Sequence, residues 1–432
     1  MLEGELSRFN RWWTTSSVPP EFLPQLARDA LDEVKRSIEW RQATLLYGLR
    51  RVGKTTLMYQ TIDSLLRSGV SPLNILYFSF DELAFDVKDV LEDYQKHVLN
   101  STFESFKGRV YVFFDEIQKV RDWENKVKVY YDLYPRVKFF LSGSASITLS
   151  KRLRESMAGR VISFRIPPLS FREFLKLNDL NPADVAKNPG IWGRQIIPLF
   201  YRYLKFGSFP ELARIQDESF ARRYIIEAVV ERIIYKDIPA EFGVRDVELL
   251  RELMYIVANN PGQLVKFSEL SKNLGRDIRT ISSYFQYLEY GLIVKFLFNY
   301  RGSPVASMRK NRKVYPATPN VSFAYNPDVA GMLPKLLENT VVASVDANYF
   351  FRNSFEVDIV VDDGAATTAI EIKKGGDEEK QLTKFQRRVG KRKFSGIVVS
   401  LEDESSGKFP TIPAWKFLLS PETFLDKKKE RS

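Results

Sequence analysis

A short loop bounded by two glycines precedes a lysine and a threonine near the start of the chain. Residues 48–56 are Gly-Leu-Arg-Arg-Val-Gly-Lys-Thr-Thr, which fits the pattern GxxxxGK followed by Ser or Thr. In this pattern the backbone N–H groups of the loop and of the next helix surround phosphate oxygens. Lys54 can reach the β- and γ-phosphates, and the Thr55 hydroxyl can bind Mg²⁺. The spacing predicts a site for ATP and Mg²⁺ formed by Gly48, Arg51, Val52, Gly53, Lys54, Thr55 and Thr56.

Two adjacent carboxylates follow an apolar run in the sequence Val-Tyr-Val-Phe-Phe-Asp-Glu, residues 110–116. An aspartate at the end of a buried strand can hold Mg²⁺ beside a P-loop threonine. The adjacent glutamate can polarise the water that attacks the γ-phosphate. We therefore expect Asp115 to be a metal ligand, like Thr55, and Glu116 to be the catalytic base.

A third apolar run, residues 137–141, leads into Ser142-Gly143-Ser144. A hydroxyl at the end of this strand can lie between the carboxylates and the γ-phosphate. Ser142 and Ser144 both fit this catalytic role, and we prefer Ser144. An ordinary loop rich in serine and glycine gives the same pattern, so the sequence leaves the assignment open.

Three acidic residues and a lysine in the last third of the chain form a second group that can do chemistry. Asp358 lies within Glu-Val-Asp-Ile-Val, and Glu371 and Lys373 lie within Ala-Ile-Glu-Ile-Lys. Residues two apart on a strand point to the same face, and Glu338 lies on a preceding helix. This pattern predicts a Mg²⁺ site at Glu338, Asp358 and Glu371, with Lys373 as the catalytic group beside a phosphate under attack. A same-face ion pair, or an inactive nuclease fold, gives the same pattern.

Short apolar strands alternate with helical segments over the P-loop region, as in a parallel sheet with helices on both faces. The predicted strands are residues 43–47, 73–80, 110–114, 137–142 and 161–166. In such a sheet the P-loop and both carboxylates lie at the carboxyl ends of the strands, where ligands bind. The sequence thus predicts an α/β fold that brings these groups to one edge.

The rest of the chain divides into regions by periodicity. Helix, short helix, helix and strand in that order are typical of a winged helix. The expected regions are an N-terminal extension (residues 1–40), a P-loop ATPase core (41–166), a helical lid (167–245), a winged helix (246–302) and a small α/β domain (303–420). The charged residues 426–432 are expected to be a frayed end.

Charge and composition limit the classes of function. The 432-residue chain has a net charge of +11, no cysteine and a single histidine, His97. Disulfides, thiol nucleophiles and histidine-based metal sites are therefore excluded. We expect a soluble, cytoplasmic protein with no membrane partner, because no apolar run approaches the ~20 residues that span a membrane and no signal-peptide pattern is present.

The positive charge suits an anionic partner such as DNA. The helix expected over residues 277–290 begins directly after Arg276 and carries Arg279 in its first turn. Residues 309–313 are Arg-Lys-Asn-Arg-Lys, and residues 380–393 contain seven lysines and arginines and no acid. Such groups can contact a phosphate backbone, although solvated helix faces give the same pattern.

Several separated segments occur in an order that narrows the family. They are the P-loop, VFFDEIQ, FFLSGSAS, SMAGRV, PLSFREFL, YLKFGSFPEL and EVDIV followed by AIEIKKG. Over roughly residues 40–400, the chain resembles archaeal and bacterial ATPases that join a divergent AAA+ domain to a winged helix and a C-terminal DUF4143-type domain with a PD-(D/E)xK nuclease-like fold. The resemblance implies a P-loop AAA+-type parallel sheet with a helical lid, a winged helix and a C-terminal α/β restriction-endonuclease-like domain.

The resemblance also implies roles for two more residues. Pro210 is expected over the adenine of the nucleotide. Arg160 is expected to respond to the γ-phosphate, in cis or from a neighbouring subunit, although a surface arginine at a helix C-terminus gives the same sequence.

The implied function is Mg²⁺-dependent ATP hydrolysis on or with DNA, by a chain that also contacts further copies of itself or another protein. Whether the nuclease-like domain cleaves is left open. The alternative is a nucleotide-switched, STAND-like protein-interaction module with slow hydrolysis and an inactive nuclease fold.

Overall fold

The computed structural model describes residues 2–24, 26–81, 85–145, 147, 151–302, 307, 312–390 and 392–425. Arg309, Lys310 and Lys391 of the predicted basic stretches, and the predicted frayed end at 426–432, lie outside the described residues. The chain divides into two compact units, residues 1–167 and 168–432.

Five of the described strands form a parallel sheet in the first unit. They are β1 (Ala43–Tyr47), β2 (Ile75–Ser79), β3 (Val110–Asp115), β4 (Val137–Gly143) and β5 (Val161–Arg165), in the spatial order β2-β3-β4-β1-β5. All neighbouring strands are parallel. Strands β2, β3 and β4 are buried along their whole length, as expected when helices cover both faces. The predicted parallel α/β sheet is confirmed.

The helices of the first unit flank this sheet. They are α1 (Leu2–Phe9), α2 (Trp12–Thr15), α3 (Leu31–Arg36), α4 (Lys54–Arg67), α5 (Val87–His97), α6 (Trp123–Leu133) and α7 (Lys151–Ser156), with 3₁₀ turns at Pro20–Phe22, Ser37–Glu39, Pro72–Asn74 and Ile117–Lys119. Helix α5 begins at a capping box, in which the side chains of Asp86 and Asp89 satisfy backbone N–H groups at the helix start.

The N-terminal extension covers the open edge of β2. Asn10 accepts a hydrogen bond from the N–H of Tyr77 at 2.6 Å and donates to its carbonyl oxygen at 2.8 Å. The indole N–H groups of Trp12 and Trp13 both donate to the carbonyl oxygen of Ile75, at 3.1 and 2.8 Å. An uncovered edge strand can pair with another chain. Here the side chains of Asn10, Trp12 and Trp13 form hydrogen bonds to the backbone of β2, as a further strand would.

The second unit begins with helices. Its helices are α8 (Phe171–Leu177), α9 (Pro182–Lys187), α10 (Pro189–Phe206), α11 (Glu218–Tyr224), α12 (Ile238–Phe242), α13 (Val247–Asn259), α14 (Phe267–Leu274), α15 (Ile278–Tyr290), α16 (Pro319–Tyr325), α17 (Val329–Ser344), α18 (Glu378–Val389) and α19 (Ala414–Leu419), with π-helical turns at Ile225–Val230 and Ile233–Asp237 and 3₁₀ turns at Pro210–Leu212 and Pro421–Thr423. Among the described residues, no helix of either unit combines the length and apolar character that crossing a membrane requires.

The described strands of the second unit form one continuous sheet. They are β6 (Gln263–Val265), β7 (Val294–Asn299), β8 (Arg312–Pro316), β9 (Tyr349–Arg352), β10 (Glu356–Asp362), β11 (Ala366–Ile372), β12 (Lys393–Ser400) and β13 (Thr411–Pro413), in the order β13-β12-β11-β10-β9-β7-β8-β6. Strand β8 pairs with both β6 and β7. A domain boundary between residues 302 and 303, as predicted, would separate β8 from both of its partner strands.

One hydrophobic core joins the region predicted as a lid to this sheet. Phe171 of α8 and Phe200 of α10 belong to the same buried cluster as Ile359, Ile370 and Val399 of the sheet. The apolar faces of these helices are buried on the C-terminal strands. From residue 168 onward the region predicted as a lid lies in the second unit.

Candidate active site

The P-loop joins β1 to α4 in a conformation that its glycines permit. Gly53 has a φ of 91° and Arg51 a φ of 63°, in the left-handed region that favours glycine. A Cβ on Gly48 would lie 2.3 Å from the carbonyl oxygen of Ile166, so this close approach requires glycine. The N–H groups of the first turn of α4, which starts at Lys54, have no intrahelical partner and can bind phosphate oxygens.

The Lys54 ammonium lies over this loop. It donates hydrogen bonds to the carbonyl oxygens of Gly48 at 3.3 Å and Leu49 at 2.9 Å, and the side chain is buried. A buried ammonium needs such partners. Thr55 and Thr56 follow it in the first turn of α4, as the sequence pattern requires.

Asp115 ends β3 and accepts four hydrogen bonds. Its Oδ2 accepts from the Thr55 hydroxyl at 2.6 Å and from the Tyr77 hydroxyl at 3.0 Å. Its Oδ1 accepts from the Ser142 hydroxyl and from the N–H of Glu116 at 3.2 Å. The structure thus brings the two predicted metal ligands, Thr55 and Asp115, into contact. Hydroxyl and carboxylate oxygens beside a lysine and helix N–H groups are a donor set that fits a nucleotide with Mg²⁺.

Glu116 leaves the strand with a φ of 52°. Its N–H also contacts the Ser142 hydroxyl at 3.2 Å, and its Oε2 accepts a hydrogen bond from Gln118 at 2.6 Å. Burial raises the pKa of the Glu116 carboxyl most strongly, while Lys54 lowers this pKa and Asp115 raises it. A carboxylate with a raised pKa next to the P-loop lysine has the properties of a general base.

The structure favours Ser142 over Ser144 as the hydroxyl supplied by β4. Strand β4 lies between β3 and β1, and its register with β3 puts Ser142 beside Asp115. Ser144 lies past the end of β4. Ser142 contacts both Asp115 and Glu116, which supports Ser142 for this role, and the choice between the two serines stays a prediction.

Arg160 lies at the amino ends of the strands, whereas the P-loop lies at their carboxyl ends. Its carbonyl oxygen accepts a hydrogen bond from Ala43, the first residue of β1, whereas the P-loop follows the last residue of this strand. Its guanidinium is paired with Asp132 through two hydrogen bonds, at 2.8 and 3.2 Å. A strand of this length spans about 16 Å, which exceeds the reach of an arginine side chain. A role in cis is therefore wrong, and a role in a neighbouring subunit stays a prediction.

The predicted acidic group of the second unit converges at one buried point. Strand β10 pairs with β11 through Ile359 and Ile370, so the preceding Asp358 lies near Glu371, and the charge of Asp358 raises the pKa of Glu371. Glu338 of α17 accepts a hydrogen bond from Lys374 at 2.7 Å. Lys374 also contacts both oxygens of Asp358, at 3.1 and 3.2 Å. The structure therefore brings Glu338, Asp358 and Glu371 together.

A second lysine, Lys313 of β8, lies among these carboxylates. Its ammonium contacts Glu338 at 3.3 Å, Glu356 at 2.7 Å and Asp358 at 3.6 Å. Burial lowers the pKa of Lys313, but the carboxylates outweigh this effect and raise the pKa above its ordinary value. The Tyr315 hydroxyl donates to Glu338 at 2.6 Å. We call these residues, with Lys374 and Glu371, the buried charge cluster.

Lys373 lies outside the buried charge cluster. Its ammonium pairs with Asp403 at 3.1 Å, because β11 ends at Ile372 and the alternation of faces ends with the strand. Lys374 takes the position predicted for Lys373. Among the described residues, no group of three or more His, Cys, Asp or Glu side chains is arranged to hold a metal ion. The geometry therefore gives no support to the predicted metal site of three carboxylates.

Glu371 is the member of the cluster that keeps its proton. Burial raises its pKa to about 10, and the charge of Asp358 acts in the same direction. Its Oε1 is buried without a hydrogen-bond partner. A protonated carboxyl is a poor ligand for a cation, so the cluster is an ion-pair network between two lysines and the remaining carboxylates.

Sequence reasoning missed several residues that contact these groups. Tyr77 was hidden in an apolar strand; burial, followed by the charge of Asp115, raises the pKa of its hydroxyl, so it donates to Asp115. Gln118 was visible in the segment VFFDEIQ but had no assigned role. Arg28 donates to the P-loop from the N-terminal extension, and no sequence pattern connects it to the loop.

Pro210 begins a 3₁₀ turn in the second unit, and its place over the adenine stays a prediction.

The basic groups predicted to contact DNA differ in how far they are paired with other side chains. Arg276 pairs with Asp246, Arg392 pairs with Asp362, and Arg388 lies over the ring of Phe351, whereas Arg279 and Arg387 are exposed.

Comparison with known proteins supports the class of the first unit. An AAA domain family model matches residues 40–175, and a model for a domain of unknown function (DUF8612) matches residues 197–317. Together with the parallel sheet and the P-loop, the first match makes residues 40–175 similar to the AAA domain family. Neither model reaches the strands that carry Asp358 and Glu371, so the DUF4143-type nuclease-like domain is not confirmed.

Similar proteins occur in bacteria and archaea. An uncharacterized protein of Haemophilus influenzae is 32% identical over 255 residues, which span 57% of this chain and 59% of that protein. An uncharacterized protein of Methanocaldococcus jannaschii is 27% identical over 414 residues, 88% of this chain and 85% of its own length. The Walker-type ATPase of Pyrococcus abyssi aligns at 14% identity with a TM-score of 0.43, covering 72% of this chain and 99% of that chain.

Proposed function

We propose that the first unit binds and hydrolyses ATP with Mg²⁺. The observation that carries this proposal is the direct hydrogen bond between Thr55 of the P-loop and Asp115, at 2.6 Å, beside the half-buried Glu116. Mg²⁺, held by Thr55 and Asp115, would neutralise phosphate charge. Lys54 and the first-turn N–H groups of α4 bind the phosphates, Glu116 accepts a proton from the attacking water, and Ser142 holds both carboxyl-bearing residues in place.

Phosphate release from ATP by the purified full-length chain tests this proposal. We expect turnover that is lost when EDTA removes Mg²⁺. Lys54→Ala should weaken nucleotide binding, because it removes the ammonium that contacts the phosphates. Lys88→Ala, which changes an exposed lysine of α5 paired with Glu92, is the matched control. Equal ATP affinity and turnover in both variants and the parent would contradict the proposal.

We further propose that DNA is the partner of this ATPase, through a winged helix built from α13, α14, α15 and strands β6 to β8. The net charge of +11 and the exposed Arg279 and Arg387 support this. Stimulation of ATP turnover by single- or double-stranded DNA is the expected result. Tight retention of nucleotide without stimulation favours the alternative, a nucleotide-switched module that binds a protein.

The buried charge cluster favours a non-cleaving second unit. The ammonium of Lys313 lies among the carboxylates that a nuclease would use for a cation, and Lys373 points to Asp403. We therefore propose that this unit is a nuclease-like fold without cleavage. Incubation of supercoiled DNA with Mg²⁺ or Mn²⁺ should give no more nicking by the parent than by Asp358→Ala. Nicking that Asp358→Ala abolishes would show that the cluster is catalytic.

A further inference from the structure

A buried arginine connects the N-terminal extension to the P-loop. Arg28 is 6% exposed, although it precedes the AAA domain match. One terminal nitrogen of its guanidinium donates to the carbonyl oxygen of Val52, and the other donates to the carbonyl oxygen of Pro167 at 2.8 Å. Val52 is the loop residue directly before Gly53, and Pro167 is the last residue of the first unit.

The bond to Val52 determines the orientation of a peptide group in the loop. In a planar trans peptide the C=O of one residue and the N–H of the next point in opposite directions. A guanidinium that holds the Val52 carbonyl on one side therefore directs the Gly53 N–H to the other. Gly53 has a φ of 91°. Because glycine adopts positive and negative φ values about equally readily, a contact from outside the loop is needed to fix the orientation of this peptide.

The segment that carries Arg28 is itself held against the P-loop helix. The side chain of Gln60 in α4 donates to the carbonyl oxygen of Leu26 at 2.6 Å. The start of the loop is fixed at the same strand exit, because Gly48 packs against the carbonyl oxygen of Ile166. Both ends of the loop are therefore held by residues 166–167. Gly48 at the start packs against Ile166, and Val52 near the end is connected to Pro167 through Arg28.

We propose that Arg28 is a positioning residue, which orients the P-loop so that its N–H groups meet the phosphates, and that the N-terminal segment is part of the nucleotide site. This inference rests on the proposed function of the first unit. Arg28 acts through the loop, so its loss should weaken the binding of ADP as well as ATP, without any change in the chemistry of hydrolysis.

Titration of the full-length chain with ADP tests the inference without turnover. Arg28→Met removes both hydrogen bonds and should weaken ADP binding about tenfold, the effect of one lost charge-assisted hydrogen bond. Arg28→Lys keeps a charge that reaches fewer acceptors, so its Kd should lie between those of the parent and Arg28→Met. Arg8→Met, at an exposed ion pair with Glu5 in the same extension, should bind ADP like the parent.

Hydrogen–deuterium exchange of the nucleotide-free protein gives a second readout. In Arg28→Lys the amides of residues 48–56 should exchange faster than in the parent, while those of β3 stay unchanged. Parental ADP affinity in Arg28→Met overturns the inference. If Arg28→Met does not fold, parental ADP affinity and parental loop exchange in Arg28→Lys overturn it instead. Failure of the parent itself to bind ADP or ATP contradicts the proposed function, and the two failures are therefore distinct.

Discussion

At the scale of single residues, Asp115, which we propose as a metal ligand, is held by contacts from four different places in the chain. The P-loop, β2, β4 and the neighbouring peptide each supply one hydrogen-bond donor. A carboxylate that accepts several hydrogen bonds is fixed before its ligand arrives, which is the preorganisation that phosphoryl transfer relies on. The carboxylate of Glu116 accepts a side-chain hydrogen bond from Gln118, at 2.6 Å.

The raised pKa of Glu371 gives a testable dependence of stability on pH. Its pKa in the folded state, about 10, lies above the ordinary value of 4.5. Between these two values the unfolded chain releases the proton and the folded chain keeps it, so the contribution of Glu371 to stability falls as pH rises. Glu371→Gln cannot ionise, and its free energy of unfolding relative to the parent should therefore increase from about pH 5 to about pH 9.

Urea unfolding of the parent and of Glu371→Gln at the two pH values measures this difference. The control is Glu379→Gln, at an exposed position of α18. A stability difference between parent and Glu371→Gln that is the same at both pH values would show that Glu371 is ionised in the folded protein.

Residue assignments were predictable from the sequence where a pattern fixes the backbone. The P-loop and the Asp115-Glu116 pair are such cases, because strand ends and glycines determine where these groups lie. Lys373 was misplaced because the rule of alternating faces holds only inside a strand, and β11 ends one residue before it. Lys313 could not be foreseen, since its carboxylate partners lie on other elements.

At the scale of elements, the N-terminal extension is needed by the sheet that it covers. Asn10 is buried and pairs with both the N–H and the carbonyl oxygen of Tyr77. Asn10→Ala leaves these two backbone groups without partners, which we expect to lower the free energy of unfolding by about 2 kcal/mol or more. Urea unfolding followed by tryptophan fluorescence measures the change, since Trp12 and Trp13 contact the same strand.

Asn125→Ala is the control for this prediction. Asn125 is an exposed residue of α6 in the same unit, so its loss should change stability little. Equal stability of Asn10→Ala and Asn125→Ala would show that the edge of β2 does not depend on Asn10.

Strands β1 to β4 of the first unit were predictable because each is a largely buried apolar run, which is typical of a parallel sheet. The short strand β6 was not, because three residues are too few to show alternation. Strand β8 was hidden by its basic residues: Arg312 and Lys313 look like a solvated charge run, yet Lys313 is 4% exposed. Lys313 is buried because it pairs with Glu338, Glu356 and Asp358, and composition alone does not reveal these partners.

At the scale of the whole molecule, the sequence suggested five regions and the structure forms two units. The two units meet between residues 167 and 168, one residue after the end of the predicted core. The later predicted regions do not form separate units. Strands of the predicted winged helix and of the C-terminal region share one sheet, and the lid helices pack in the same hydrophobic core as the C-terminal strands. Periodicity reveals elements but not which of them are buried together.

The charge of the whole chain leads to a prediction about DNA. Affinity for double-stranded DNA should fall steeply as salt rises, because binding releases condensed counterions. Arg387→Ala should weaken binding to all sequences alike and reduce the salt dependence. Arg67→Ala removes the same charge from an exposed position of α4 and should bind DNA like the parent. Absence of binding at low salt by fluorescence anisotropy rules out DNA as the partner.

ATP turnover by Glu116→Gln tests the central claim most directly. This substitution keeps the size and hydrogen bonding of the side chain but removes the carboxylate that accepts the proton. The variant should bind ATP with the affinity of the parent and lose turnover by about 100-fold or more, the usual contribution of a general base. Single-turnover assays with Mg²⁺ measure both quantities on the same sample. Hydrolysis by Glu116→Gln at the rate of the parent would show that Glu116 is not the catalytic base.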